Sequence, residues 1–157
     1  MVPLETLGKL DFLEGFPPDY LKPLAAVAEV KDVPAGEVLF REGEKSPCIY
    51  VVISGKVAME TWMTGNGMTR IQTVGPGKLL GWTPILTQGP MTARAIAVEA
   101  CRLVAINAMQ VLEACAEHPR FGMELMRRTA IALSRRLSAT RQKLLSAYEQ
   151  MLPVISE

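Results

Sequence analysis

Residues 81–98 hold the side chains best suited to meeting a ligand: Trp82, the hydroxyls of Thr83 and Thr92, Met91 and a single cation, Arg94. No carboxylate lies in that stretch. Acid–base catalysis needs a group that titrates near neutrality, and nucleophilic catalysis needs a base beside its nucleophile. No such pairing is visible, and the chain's one histidine, His118, precedes Pro119 and reads as a helix start. An enzyme is therefore not expected. Trp82 and Met91 offer stacking and soft apolar contact instead, which is the chemistry of binding. The three cysteines, Cys48, Cys101 and Cys115, are an odd number with no close pair and no Cys-x-x-Cys. They read as small core hydrophobes in a reducing compartment, so no metal, cluster or other cofactor is expected and the location expected is cytoplasmic.

The elements that must position these residues change character twice along the 157 residues. Residues 4–30 read as helical in two pieces. Pro17-Pro18-Asp19 marks the second start, and Tyr20, Leu21, Leu24, Ala25 and Val27 recur at helical spacing. From residue 37 to about 106 the period is that of strands. The β-branched run Ile49-Tyr50-Val51-Val52-Ile53 turns at Ser54-Gly55, and Val57, Met59 and Thr61 alternate with Lys56, Ala58 and Glu60. Thr64-Gly65-Asn66-Gly67 predicts a hairpin turn, and residues 94–98 and 102–106 predict the last strands. Short strands with Gly-rich turns point to an antiparallel roll or barrel. Helix returns at residues 109–116, breaks at His118-Pro119, and runs from about 120 to 152 before Pro153. Along this helix Met126, Ala130, Leu133, Leu137, Thr140, Leu144, Ala147 and Met151 are spaced alternately 4 and 3 apart. Such a heptad seam predicts a parallel homodimer; the alternative is burial of the stripe against the chain's own sheet. The 49% hydrophobic content suits one domain, in three parts: helical 1–33, β-roll 34–107 and helical 108–157. A net charge of +1 gives no field to recruit nucleic acid or membrane. The longest uncharged stretch, 79–93, falls short of the ~20 apolar residues of a span, and the N-terminus does not read as a secretory signal.

Four blocks carry a resemblance. They are Pro34-Ala35-Gly36-Glu37-Val38-Leu39-Phe40-Arg41-Glu42-Gly43-Glu44, Ile49-Tyr50-Val51-Val52-Ile53-Ser54-Gly55-Lys56-Val57, Gly75-Pro76-Gly77-Lys78-Leu79-Leu80-Gly81 and Ala100-Cys101-Arg102-Leu103-Val104-Ala105-Ile106. Together, across about residues 10–150, the chain resembles the cyclic-nucleotide-binding domain superfamily of catabolite activator protein-like receptors. That resemblance implies a mainly β fold with flanking helices. Its centre is a double-stranded β-helix, or jelly-roll-like β-roll, between N-terminal helices and a long C-terminal dimerisation helix. It also implies a phosphate-binding cassette, a short helix and loop whose backbone N–H groups cradle a cyclic phosphate. There an arginine neutralises the phosphate and a glutamate after a glycine accepts from the ribose.

The corresponding segment here resembles Gly81-Trp82-Thr83-Pro84-Ile85-Leu86-Thr87-Gln88-Gly89-Pro90-Met91-Thr92-Ala93, so Trp82 stands for the glutamate and Met91 for the arginine. A charge-assisted contact to phosphate is worth about 1.5–3 kcal/mol, and a buried phosphate without its cation loses at least that. Cyclic AMP or cyclic GMP is therefore not expected to bind in the usual way. The candidate ligand residues are Gly81, Trp82, Thr83, Met91, Thr92, Ala93 and Thr140. Thr92 retains the hydroxyl that follows the arginine position, and Thr140 resembles the dimer-helix residue that meets the base, or else sets coiled-coil register. Arg94 could substitute for the arginine, but alternation points it away from Met91. Two readings compete: a regulatory sensor for an unidentified, less charged small molecule, and a degenerate pocket filled by Trp82 in a dimerisation or partner-docking domain. A transcription factor would need a helix-turn-helix module after the dimer helix, which these 157 residues do not carry, so direct DNA binding is not expected. The cations of the long helix, Arg120 to Lys143, read as a solvated face.

Overall fold

A computed structural model of the chain describes residues 2–152. Two helices come first, α1 (Leu4–Gly8) and α2 (Pro18–Ala26), with a 3-10 turn at Asp11–Leu13 between them. Pro18 sits in the first turn of α2, where a missing N–H leaves no bond unmade. Eight strands follow: β1 (Ala28–Val33), β2 (Val38–Phe40), β3 (Cys48–Ser54), β4 (Val57–Met63), β5 (Gly67–Val74), β6 (Leu79–Leu80), β7 (Arg94–Ala97) and β8 (Cys101–Asn107). They form two antiparallel four-stranded sheets, ordered β1-β8-β3-β6 and β2-β7-β4-β5, the jelly roll that the resemblance implies. The short α3 (Thr83–Leu86) joins β6 to β7, and α4 (Ala108–Glu117) and α5 (Pro119–Met151) end the described chain.

The central strands of the first sheet are buried on both faces, which is why Ile49–Ile53 of β3 and Leu103–Ile106 of β8 read as apolar runs. Ile49 and Val51 of β3, with Val104 and Ile106 of β8, pack toward α1, α2, α4 and the start of α5. Tyr50 and Val52, with Leu103 and Ala105, point the other way into the roll, where they meet Val57, Val74, Ala95 and Ala97 of the second sheet. Gly55 turns β3 into β4 at φ +91°, and a Cβ there would lie 2.6 Å from the Ala100 carbonyl oxygen, so only glycine fits.

The helices close over the outer face of the first sheet. Asn107 caps α4 by accepting from the Gln110 N–H at 2.9 Å. Gly122 lets α5 approach α4 closely, since a Cβ there would sit 2.8 Å from the Cys115 Cβ. Phe121, Leu125 and Thr129 turn inward from α5, and Phe121 joins Phe16 and Tyr20 in an edge-on aromatic cluster. Met126, at the start of the seam, packs against this core, but the later seam residues do not: Leu137, Leu144 and Met151 are 60%, 69% and 82% exposed.

The boundaries of α4 and α5 fall within a residue or so of expectation, and the hairpin turn lies between Met63 and Gly67 as expected. One expectation fails: residues 28–33, read with the helical N-terminal part, form β1, paired along its length with β8. Pro153 and the rest of the tail lie outside the described residues.

Candidate functional site

β6 delivers the chain to Gly81, whose φ of +74° makes the bend into α3. A Cβ at Gly81 would come within 3.0 Å of the Phe40 ring, so the missing side chain also lets the bend press on the roll wall. Trp82 precedes α3 and Pro84 stands in its first turn, a position suited to fixed φ. The Thr83 carbonyl accepts from both Thr87 and Gln88 N–H groups, at 3.1 and 3.0 Å, which closes the short helix. Gln88 then takes a left-handed φ of +59° and the loop runs back toward the roll.

Its end is pinned on both sides. The Met91 N–H donates to the Glu44 carbonyl, and the Met91 carbonyl accepts from the Gly43 N–H, each at 2.8 Å. The pinning directs the Met91 side chain inward, where it is 4% exposed among Phe40, Tyr50, Leu80 and Ala95. Phe40 and Tyr50 stack beside it with centroids 6.3 Å apart. Every member of this inner cluster is apolar or aromatic, apart from the Tyr50 hydroxyl and the Cys101 thiol. Desolvation pushes both of those groups up in pKa, so both stay neutral at neutral pH. The interior therefore offers an apolar surface and no cation.

Gly81, Trp82, Thr83, Met91, Thr92 and Ala93 thus share one loop-and-helix unit, with different exposures. Ala93 is buried beside the inner cluster, Thr92 is exposed, and Thr83 is half-buried. Arg94 does point opposite to Met91. It is an ion-paired residue, its Nε donating to the Glu60 carboxylate at 3.1 Å on the outer face of the second sheet. Thr140 is not brought to this unit within the single chain: it is exposed, and its hydroxyl donates to the Arg136 carbonyl at 2.9 Å.

Trp82 corrects one expectation. It packs against the core on the helix side of the first sheet, so the roll interior is filled by Met91, Phe40 and Tyr50. Its ring lies under the guanidinium of Arg136, 4.5 Å from centroid to Cζ. Arg136 also donates through Nη2 to the Leu79 carbonyl, while its Nη1 is buried with no hydrogen-bond partner among the described residues. Burial lowers its pKa to about 10. Arg136 thus departs from the solvated face expected of the α5 cations. Arg128 leaves that face as well, donating to Glu124 at 2.9 Å and to the Glu14 carbonyl. A run of seven cations on one helix carries no single-sequence mark of which will fold inward.

Comparisons with known proteins agree with this fold. Residues 30–118 match the family model described as the cyclic nucleotide-binding domain. A CRP-like cAMP-activated global transcriptional regulator of Mycobacterium tuberculosis is 27% identical over 140 residues, which cover 89% of this chain and 61% of that protein. The chain thus spans about three fifths of the length of that curated relative. Among solved structures, a cyclic nucleotide-binding domain from Methylobacillus flagellatus superposes with a TM-score of 0.80 at 18% identity, covering 98% of this chain and 84% of the other. The Thermus thermophilus catabolite activator protein superposes with a TM-score of 0.70 at 25% identity, covering 88% of this chain and 63% of that one.

Proposed function

The chain belongs to the cyclic nucleotide-binding domain family, and from that premise we propose that it is a non-enzymatic regulatory module that does not take cyclic AMP or cyclic GMP in the usual way. The observation that carries this reading is Met91. At the position where the resemblance implies the phosphate's arginine, an uncharged side chain is 4% exposed and pinned inward by two backbone hydrogen bonds. Trp82, at the glutamate position, has no carboxylate to offer a ribose, and its face is occupied by Arg136. The module acts as a homodimer through α5, whose seam residues from Leu137 onward are exposed. Three separate thiols fit a cytoplasmic setting. No helix among the described residues is long and apolar enough to cross a membrane.

A calorimetric titration tests the reading. The wild-type chain is expected to give no binding heat with cyclic AMP or cyclic GMP up to millimolar nucleotide. Micromolar binding, with amide shifts centred on residues 83–92, would overturn it.

A second reading is favoured by the filling of the roll by Met91, Phe40 and Tyr50. In it the cassette is degenerate and the domain serves dimerisation or partner docking alone. Thermal stabilisation by a specific small molecule separates the two: the sensor requires it, and the docking domain shows none.

A further inference from the structure

Outside the roll, a groove of about 350 Å³ lies between the 3-10 turn, the turn leading into β6 and the middle of α5. None of residues 81–93 lines it, so it is distinct from the cassette unit. Its floor is apolar, built from Phe12, Val74, Leu79 and Ile131. Its rim is charged, with Arg128, Arg135 and Arg136 from one side of α5 facing Lys78 across the opening. The rim carboxylates are Asp11 and Glu14, so cations outnumber acids by two.

The pairing sharpens that excess. Lys78 is held by Asp11 at 3.2 Å, and Arg128 by Glu124 at 2.9 Å together with the Glu14 carbonyl. Arg135 and Arg136 make no ion pair among the described residues. Arg136, moreover, keeps a buried Nη1 with no acceptor there. Arg136 Nη1 is closed off from solvent, so among the described residues the free cation of the rim is the exposed Arg135, and a carboxylate matches the fork of its guanidinium with two parallel bonds. The volume falls within the range of small-molecule sites, which are mostly apolar with a few placed polar groups.

We propose that this groove binds a small organic carboxylate with an alkyl or aryl body, the body lying on the Phe12–Ile131 floor and the carboxylate taken by Arg135 beside Arg136. This site stands whether or not the cassette holds a ligand. Because Arg136 also roofs Trp82, and Leu137 after it begins the exposed half of α5, occupancy of the groove is felt at both the cassette and the helix.

The test is a ¹⁵N-edited NMR titration of the chain with a panel of alkanoates and phenylalkanoates, each beside its matching primary alcohol. Carboxylates are expected to shift the amides of Thr73, Leu79 and Ala132 and the Trp82 indole, with the alcohols at least tenfold weaker. Arg135→Glu, a change at an exposed position, lowers carboxylate affinity about tenfold or more and leaves the rest of the spectrum in place. Arg136→Gln removes the response of the Trp82 indole. The proposal is overturned if no carboxylate in the panel moves the groove amides, if the alcohols bind equally well, or if Arg135→Glu binds like wild type. A cyclic nucleotide seated in the cassette would move residues 83–92 instead, so the two sites are read separately.

Discussion

Met91→Ala distinguishes a filled roll from an open ligand chamber. In the structure Met91 is 4% exposed, and its backbone is clamped at 2.8 Å to Gly43 on one side and Glu44 on the other. The side chain cannot leave the interior without breaking those bonds. Truncation removes three buried heavy atoms, and at about 0.8 kcal/mol per methylene-sized group the lost transfer energy is about 2 kcal/mol. The hole left behind collapses poorly. Its walls are the stacked Phe40 and Tyr50 rings and the backbone at Gly81, already in close contact with Phe40. A cavity term of about 1 kcal/mol brings the expected loss to about 3 kcal/mol, within the range for buried Met→Ala changes. Urea unfolding at fixed protein concentration measures it, as a fall in midpoint at unchanged slope. Heating should show a drop of roughly 6–12 °C for a domain of this size. Thr92→Ala, one residue along and exposed, is the control and shifts stability by less than about 0.5 kcal/mol. If Met91 instead lined an open chamber, its loss would leave little new void. A measured cost below about 1 kcal/mol would refute the filled roll, and with it the steric ground for excluding a nucleotide.

What could be read in advance follows from where each signal resides. The strands buried on both faces, β3 and β8, announce themselves as apolar runs because either neighbour in the run meets a core. The hairpin between β4 and β5 is legible because its turn needs glycine, and both Gly65 and Gly67 do take positive φ. β1 was not legible. Its inner four residues are exposed, so neither a period of 2 nor an apolar run marks it, and it is a strand because β8 offers it six partners in register. The resemblance put Trp82 and Met91 at the positions it implies for a glutamate and an arginine, but which of the two side chains fills the roll could not be read in advance. Gly81 bends the chain so that successive residues leave in different directions, and local spacing does not encode that bend. Arg136 lies 54 positions from Trp82, and the contact between them exists only once α5 is laid across the sheet.

Further perturbations at four positions probe the elements around the site. Gly55→Ala combines a left-handed φ of +91° with a Cβ 2.6 Å from the Ala100 oxygen, and is expected to cost at least 2–3 kcal/mol by urea unfolding. A loss under 1 kcal/mol would mean that the β3–β4 turn relaxes freely. For Arg136, the pKa lowered to about 10 equates to a burial cost of about 3 kcal/mol, present in full at neutral pH because the group is protonated in both states. Stacking on Trp82 returns about 1–2 kcal/mol and the Leu79 hydrogen bond about 1.5–3 kcal/mol. Arg136→Met, which keeps the stem, should therefore change stability by no more than about 1 kcal/mol, whereas Arg136→Ala costs more through lost packing. Equal losses in the two variants would show that the charge, not the stem, holds α5 to the roll. Leu144→Asp tests the seam. Residues 137–151 of α5 extend about 21 Å at 1.5 Å per residue, and every large apolar side chain there is exposed in the single chain. A helix of that length with no tertiary contact is marginal in water. Its persistence requires another surface, and under the proposed dimer that surface is the same seam of Leu137, Thr140, Leu144, Ala147 and Met151 on a second copy. In a monomer, Leu144→Asp at a 69% exposed site would alter stability by less than about 0.5 kcal/mol. In a parallel dimer it sets two carboxylates face to face in an apolar seam, which costs several kcal/mol of association. Sedimentation equilibrium should give a dimer for wild type and a monomer for Leu144→Asp, with far-ultraviolet ellipticity falling as the unsupported turns fray. Thr140→Leu should move association the other way, since it replaces the one polar side chain within that exposed stretch of the seam. Identical masses for wild type and Leu144→Asp would remove the dimer and leave the exposed half of α5 in need of a different partner.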